Sequence, residues 1–228
     1  MQQISQQLQQ VIQRVNQACD KVGRNPDEVQ LLAVSKKQDC AMIRAAFEAG
    51  QCHFGENYVQ EALEKMQQLS DLDITWHLIG ALQSNKTLEV AESFAWVHSV
   101  DRLKIAQRLS KQRPDHLVPL NICLQVNIDD QQSKSGCQLN EVESLVKEIL
   151  LLPRLSLRGL MVIPQAGNHQ AFEQLANLRQ QLLATIPNLS AQVFDTLSMG
   201  MSDDLEQAIA AGSTMVRVGT AIFGKRLS

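Results

Sequence analysis

The amino-acid sequence predicts an α/β protein, a single (β/α)8 TIM barrel over residues 1–228 with an extra N-terminal helix. Two observations lead to this fold class. Short apolar runs typical of buried strands alternate with segments of helical periodicity, and eight such runs occur in order. The length of 228 residues suits one complete barrel, and no Pro-, Gly- or Ser-rich linker divides the chain. An open sheet with the same alternation is the other topology that the pattern allows.

The segment before the first strand is predicted to form the extra helix. Its apolar residues recur at intervals of three and four, which places them on one helical face, and a glycine follows as a stop signal. These residues are Ile4, Leu8, Val11, Ile12, Val15, Cys19 and Val22, with Gly23 after them.

The predicted strands are short apolar runs, and helical patterns separate them. The strands cover 29–35, 52–55, 74–79, 96–100, 120–126, 157–163, 194–198 and 214–218. The intervening helices cover 39–50, 58–69, 86–93, 101–111, 170–184 and 203–211. Asp39 is the predicted N-cap of the first of these. After the fifth strand, Asn140 and Glu143 are predicted to open a helix as a capping box.

Charge and composition exclude several classes of function. The formal net charge is −3 and the pI is about 6.0, so the clustered basic excess of a nucleic-acid-binding protein is missing. No apolar run is long enough to cross a bilayer, and residues 1–5 lack the basic start and apolar stretch of a signal peptide. We therefore expect a cytoplasmic monomer that binds neither nucleic acid nor membrane.

The five cysteines do not form a recognisable framework. They are Cys19, Cys40, Cys52, Cys123 and Cys137, an odd number without a CxxC pair. This pattern is typical neither of disulfides nor of a zinc site, and the spacing of histidines and acids indicates no other metal site. We expect buried free thiols of a reducing compartment.

Polar, glycine or proline residues follow all eight predicted strands. The stretches are 35–37, 55–57, 83–86, 99–101, 127–129, Pro164, 198–200 and 217–220. In a (β/α)8 barrel the functional groups lie at the carboxyl ends of the strands. The sequence therefore predicts a binding site on this rim.

Lys36 is the candidate nucleophile of the rim. It directly follows the apolar run 31–34, where a lysine is unusual unless it faces the barrel mouth. A partly desolvated amine there can attack a carbonyl. On position alone, a solvated strand-end lysine paired with an acid is the more common case. Lys37 would point to the other side of the strand, and we prefer Lys36 because it comes first after the strand.

A phosphate site is predicted after the seventh and eighth strands. Barrels commonly bind phosphate with these two loops and a short helix N-terminus. Gly219 lets the backbone approach an anion, and Thr220 offers a hydroxyl and an N–H. The loop 198–202 supplies the other half. The alternative is a turn that merely needs glycine, with Ser202 or Asp203 as a helix cap, but the paired glycine loops favour phosphate.

Other candidates are weaker. His53, His77 and His98 lie in or beside apolar runs and are predicted to be core residues rather than catalysts. Ser35 and Ser198 lack the GxSxG context of a hydrolase nucleophile.

Sequence blocks along nearly the whole chain resemble one known family. The blocks are 32–36 (LAVSK), 53–61 (HFGENYVQE), 76–80 (WHLIG), 82–86 (LQSNK), 133–136 (SKSG), 160–164 (LMVIP), 197–204 (LSMGMSDD), 212–219 (GSTMVRVG) and 222–224 (IFG). Together they resemble the pyridoxal phosphate homeostasis protein family (YggS/PROSC-like), whose barrel is of the alanine-racemase N-terminal type.

The resemblance implies pyridoxal 5′-phosphate (PLP) as cofactor. It implies that Lys36 carries PLP as a Schiff base, with Asn57 beside the cofactor. It also implies that Ser198, Gly219 and Thr220 hold the phosphate. The chain departs from the family at 37–38, where Lys-Gln replaces the usual Thr followed by Lys-Pro. This departure bears on the packing around the Schiff-base lysine.

Arg217 is implied to face the pyridine nitrogen. An arginine is permanently cationic and can only donate, so it leaves that nitrogen unprotonated and weakens the electron sink of PLP chemistry. A racemase of this fold tolerates such an arginine but takes a second base from an additional all-β domain, which we do not expect after Ser228. We therefore expect a protein that binds, stores or delivers PLP to apo-enzymes, without turnover.

Three other functions stay open. A PLP-dependent amino-acid racemase or related enzyme, with its second base from another subunit, would show saturable turnover. A Schiff-base aldolase for a sugar phosphate would stay colourless after addition of PLP. A pure scaffold is the third, although it has no need for the polar rim. The sequence also leaves open whether Lys86 or Lys134 forms a second PLP adduct.

Overall fold

A computed structural model describes residues 2–129 and 135–224 and shows a closed parallel barrel. Within the described residues the strands are β1 (Gln30–Val34), β2 (His53–Glu56), β3 (Thr75–Leu78), β4 (Trp96–Val100), β5 (Leu120–Gln125), β6 (Leu155–Met161), β7 (Thr196–Ser198) and β8 (Met215–Val218). Each strand pairs in parallel with the next, and β8 pairs with β1. The predicted (β/α)8 barrel is confirmed, and the open sheet is excluded.

Helices follow the strands around the outside of the barrel. The described helices are α1 (Gln2–Lys21), α2 (Cys40–Glu48), α3 (Val59–Gln68), α4 (Thr87–Ser93), α5 (Leu103–Gln112), α6 (Val142–Ile149), α7 (Gln170–Thr185), α8 (Leu205–Ala210) and α9 (Thr220–Phe223). Short 3₁₀ turns occur at Pro26–Glu28, Ser84–Lys86 and Leu139–Glu141. None of the helices in the described part is both long and apolar enough to span a membrane.

The predicted N-terminal helix is α1, and it packs against α8 and α9, the last two helices of the described residues. Leu8, Val11 and Val15 are buried. Arg14 donates from Nη2 to the backbone oxygen of Ser202 (3.0 Å) and forms an ion pair with Glu206. Thus α1 supports the loop that follows β7.

The strand residues alternate between the helical layer and the barrel interior, as a period of two requires. In β1, Leu31 and Ala33 pack among the helices, whereas Leu32 lies inside the barrel. Its interior neighbours are Ile79, Trp96, Cys123, Met161 and Met215. The same alternation, followed from Leu32 to Val34 and on to the next even-numbered residue, places Lys36 at the inner rim of the barrel.

Two sequence expectations need correction. The capping box is formed by Gln138 and Glu141, not by Asn140 and Glu143, because the 3₁₀ turn that precedes α6 starts the helical path earlier. All five cysteines are free thiols, but Cys52 is exposed and Cys40 is half-buried; the expected burial holds for the other three.

Candidate functional site

A cavity of about 230 Å³ opens at the carboxyl ends of the strands, between β1 and β8. Its walls come from the loops after β1, β2, β3, β6, β7 and β8. The lining residues are Val34, Lys36, Gln38, Asn57, Ile79, Ile163, Met201, Ser202, Asp203, Arg217, Gly219, Thr220 and Gly224. The structure thus brings five of the six predicted site residues to one cavity.

Lys36 lies in this cavity and Lys37 does not. Lys36 is half-buried at the first turn position after β1. Lys37 is exposed and has a φ of 60°, a left-handed conformation that is costly for a residue with a Cβ. The two neighbouring amines therefore have different environments, one in the cavity and one in solvent.

A buried ion network holds the backbone on both sides of Lys36. The Nζ of Lys65 donates to the Ser35 backbone oxygen (2.8 Å), to Glu56 Oε1 (2.8 Å) and to Glu61 Oε1 (2.6 Å). The backbone N–H of Lys37 donates to the same Glu61 oxygen (2.5 Å). The backbone is therefore hydrogen-bonded to side chains at both residue 35 and residue 37. These bonds from α3 fix the backbone that carries the Lys36 side chain, and Glu56 of β2 holds the shared Lys65 amine in place.

The centre of that network is the Glu56 carboxyl, which is fully buried. Burial raises its pKa, while the hydrogen bonds from Lys65 and Ser35 oppose the rise. Its Oε2 is buried and finds no hydrogen-bond partner among the described residues. A carboxylate in this position depends on the Lys65 cation to remain ionised.

The wall that follows β8, next to β1, has the features of an anion site. Helix α9 begins at Thr220, and the leading N–H groups of a helix have no intrahelical partner. A Cβ on Gly219 would lie 3.1 Å from the Val34 backbone oxygen, so a side chain at this position would crowd the backbone of β1. Ser202 and Met201 complete this wall from the loop after β7.

Arg217 forms the floor of the cavity. It is 4% exposed, and burial lowers its pKa to about 10, which leaves it cationic at neutral pH. Its Nη1 donates to the Ser198 backbone oxygen (2.6 Å) and hydroxyl (2.9 Å), and its Nη2 donates to the Val162 backbone oxygen (2.9 Å). These bonds hold the guanidinium plane in one orientation.

The structure does not bring Ser198 into the cavity. Its side chain is fully buried and lies within hydrogen-bonding distance of Arg217 and of His98 Nδ1 (2.8 Å). The cavity-lining serine is Ser202, which belongs to the loop 198–202 that the sequence predicts as half of the phosphate site. The reason is the strand parity: residue 198 still belongs to β7 and points into the barrel, below the rim.

Asn57 offers an unused acceptor at the cavity. Its Oδ1 is buried and has no hydrogen-bond partner within the described residues. A buried acceptor of this kind favours a ligand that brings a donor to it.

Some cavity residues could not be found from the sequence. Ile79 and Ile163 supply apolar walls, and in the sequence they are indistinguishable from other apolar residues at strand ends. Of the two further lysines, Lys86 pairs with Glu89 at 3.1 Å and does not belong to the cavity lining. Lys134 lies outside the described residues.

Comparison with known families gives a match over nearly the whole chain. The family described as alanine racemase, N-terminal domain, matches residues 6–226. The pyridoxal phosphate homeostasis protein of Pseudomonas aeruginosa is 54% identical over 228 residues, which covers 98% of this chain and 96% of the relative. The protein of the same name from Escherichia coli K12 is 51% identical over 231 residues, with 99% and 98% covered.

A solved structure has the same fold at lower identity. PipY of Synechococcus elongatus, determined with PLP bound, superposes with a TM-score of 0.79 at 38% identity. The match covers 92% of this chain and 100% of PipY.

Proposed function

Because this chain belongs to the pyridoxal phosphate homeostasis protein family, we propose that it binds PLP in the cavity between β1 and β8 and serves PLP homeostasis. The observation that carries the proposal is the arrangement of one cavity with two chemically different walls. An amine, Lys36, lies on one wall, and an anion site around Gly219 and Thr220 lies on the other. PLP has an aldehyde and a phosphate-bearing group on neighbouring carbons of one ring, which suits two walls built by the adjacent strands β1 and β8.

The remaining polar groups of the cavity also fit this cofactor. The Arg217 guanidinium can donate to a ring nitrogen that has no proton of its own. The unpartnered Asn57 Oδ1 can accept a hydrogen bond from a ring substituent. Ser202 adds a hydroxyl to the phosphate wall, in the place first assigned to Ser198. The cavity size of about 230 Å³ suits a single-ring ligand rather than a dinucleotide.

Each residue has a defined task in this proposal. When bound, PLP supplies an aldehyde that condenses reversibly with a primary amine. Lys36 provides the Nζ for this Schiff base, and the Lys65 network fixes the backbone that carries it. Gly219 and Thr220 hold the phosphate through backbone N–H groups and a hydroxyl. Ile79 and Ile163 supply apolar contacts that limit the access of water.

We infer that the protein stores or delivers PLP rather than catalysing a turnover reaction. A donor-only Arg217 at the ring nitrogen disfavours protonation of that nitrogen, and carbanion chemistry is weakened accordingly. Besides the Lys36 amine, the group among the described cavity residues that could act as a second base is the Asp203 carboxylate. It lies in the loop after β7, on the phosphate side of the cavity. Release to a recipient apo-enzyme then requires an incoming amine to replace Lys36 Nζ.

A cytosolic location belongs to the same proposal. All five cysteines are free thiols, and free thiols are typical of proteins from a reducing compartment. Apo-enzymes that take up PLP are the partners we assign to this protein.

The test is a PLP titration followed by absorbance and by thermal melting. The wild-type chain and a Lys37→Ala control should develop a visible-range band and gain thermal stability. A folded Lys36→Ala variant should lose the band, because no amine remains at the site. If Lys36→Ala kept the full band, or if wild type developed none, the proposal would be wrong. Saturable turnover of an amino acid by wild type would favour the racemase instead.

A further inference from the structure

A chain of hydrogen bonds crosses the barrel interior from its amino-terminal mouth to the cavity floor. His53 Nδ1 lies 3.0 Å from His77 Nε2, and His77 Nδ1 lies 2.9 Å from His98 Nε2. His98 Nδ1 lies 2.8 Å from the Ser198 hydroxyl, which in turn lies 2.9 Å from Arg217 Nη1. The residues come from five different strands, so only the closed barrel brings them together.

The two inner histidines of this hydrogen-bonded series are inaccessible to solvent. His77 and His98 are fully buried, and His53 is half-buried at the mouth beside Trp96. Burial lowers the pKa of His77 well below its usual value and, together with the nearby Arg217 charge, lowers the pKa of His98 to about 3. Both imidazoles are therefore neutral at pH 7, and each has one N–H donor and one acceptor nitrogen.

The charged end fixes the direction of the hydrogen bonds. A guanidinium can only donate, so the Ser198 oxygen accepts from Arg217. The Ser198 hydroxyl can then donate its own proton to His98 Nδ1, which leaves the His98 proton on Nε2. That proton is donated to His77 Nδ1, and the His77 proton on Nε2 is donated to His53 Nδ1.

If the hydrogen bonds ran in the opposite direction, one buried donor would lose its acceptor. If His98 Nδ1 carried the proton, it and Arg217 would both donate to the Ser198 oxygen. The Ser198 hydroxyl proton would then lose His98 as its acceptor in a fully buried position. Buried donors of this kind are rare because an unmade hydrogen bond is costly.

We infer that His53, His77, His98 and Ser198 form a directed hydrogen-bonded chain that positions Arg217 for the cofactor nitrogen. Ser198 is thus a positioning residue for the arginine rather than a phosphate ligand. The chain keeps the Arg217 guanidinium plane fixed by bonding it from below, where water has no access. The link to the cofactor rests on the proposed function, whereas the existence and direction of the chain do not.

The direction can be measured in the unloaded protein by long-range ¹H–¹⁵N correlation of the histidine rings. At pH 7 we expect neutral rings with the proton on Nε2 for His77 and His98. A proton on Nδ1 of either ring, or a doubly protonated ring, would overturn the inference.

A pair of serine variants tests the positioning step. Ser198→Ala removes the hydroxyl that donates to His98, so a second tautomer should appear at His98 and His77; Ser198→Thr retains the hydroxyl and should keep one tautomer. The PLP dissociation constant should rise about tenfold in Ser198→Ala, and the visible band should shift. Ser110→Ala is the control, since Ser110 is also buried but its hydroxyl donates to the Pro153 backbone oxygen, which is not part of the hydrogen-bonded series.

The possible outcomes distinguish a failure of the hydrogen-bonded series from a failure of PLP binding. Unchanged tautomers in Ser198→Ala would refute the directing role of the hydroxyl. Altered tautomers with an unchanged dissociation constant and band would refute the positioning of Arg217 while leaving PLP binding intact. Failure of wild type to bind PLP would refute the proposed function, and the tautomers of the unloaded chain would still be read independently.

Discussion

Removal of the Lys65 amine should destabilise the barrel far more than removal of an equally spaced lysine on the surface. Lys65 pairs with Glu61 four residues earlier at 2.6 Å, and Lys147 pairs with Glu143 at the same spacing and distance. The Lys65 side chain is 7% exposed, against 53% for Lys147. Lys65→Met leaves the fully buried Glu56 without its cation, whereas Lys147→Met leaves a hydrated carboxylate.

The magnitude follows from the options left to Glu56. An uncompensated buried charge costs about 3–5 kcal/mol. The alternative is to take up a proton, which for a carboxyl of ordinary pKa 4.5 costs about 5 kcal/mol at pH 8 and about 2 kcal/mol at pH 6. Stability of Lys65→Met relative to wild type should therefore fall as the pH rises, because the unfolded carboxyl ionises and the folded one does not. Lys147→Met should lose less than about 0.5 kcal/mol at both pH values.

The assay is urea unfolding of the unloaded proteins at pH 6 and pH 8. Adding Glu56→Gln to Lys65→Met should recover most of the loss, because both buried charges are then gone. PLP affinity should also decrease in Lys65→Met, since the Ser35 oxygen and the Glu61 carboxylate lose their common donor. If Lys65→Met lost less than about 1 kcal/mol at pH 8, or if its loss did not depend on pH, the assignment of Glu56 as a cation-dependent buried carboxylate would be refuted.

Three further predictions concern the phosphate wall and the thiols. Gly219→Val should raise the PLP dissociation constant about tenfold or more, because the new side chain starts 3.1 Å from the Val34 backbone oxygen; an unchanged constant in the titration would contradict the phosphate site. Ser202→Ala should weaken PLP binding several-fold, while urea unfolding should change by less than about 0.5 kcal/mol, since α1 bonds the backbone oxygen of Ser202 rather than its hydroxyl. Burial raises the pKa of Cys123 to about 12, so at pH 8 a thiol reagent should label the exposed Cys52 first; equal labelling of both in the native protein, read by mass spectrometry, would contradict the packing.

The barrel was predictable from the sequence because the strand runs and helical periodicities repeat in order. The strand 96–100 was predicted with its observed limits, and the other strands differ by a few residues at their ends. Lys36 was preferred over Lys37 because it comes first after the strand, and only the structure shows that Leu32 faces inward and that Lys36 lines the cavity. Closure of the sheet into a barrel was inferred from the number of predicted strands.

The polar interior was not predictable residue by residue. His53, His77 and His98 look like isolated core histidines in the sequence; this prediction is correct for the buried His77 and His98, whereas His53 is half-buried at the barrel mouth. Their connection depends on the stagger between neighbouring strands, which one sequence does not encode explicitly. The same stagger decides that Ser198 bonds to Arg217 inside the barrel and that Ser202 reaches the cavity. A second miss is the Lys65 network, because α3 supplies its cation from a helix rather than from a strand end.

The attachment of PLP to Lys36 can be checked by covalent trapping of the cofactor. The PLP-loaded protein is reduced with borohydride, digested and mapped by mass spectrometry. We expect a phosphopyridoxyl group on Lys36, in stoichiometric yield, with Lys37 unmodified in the same peptide. A label on Lys37 or distributed over surface lysines, with Lys36 unmodified, would contradict it.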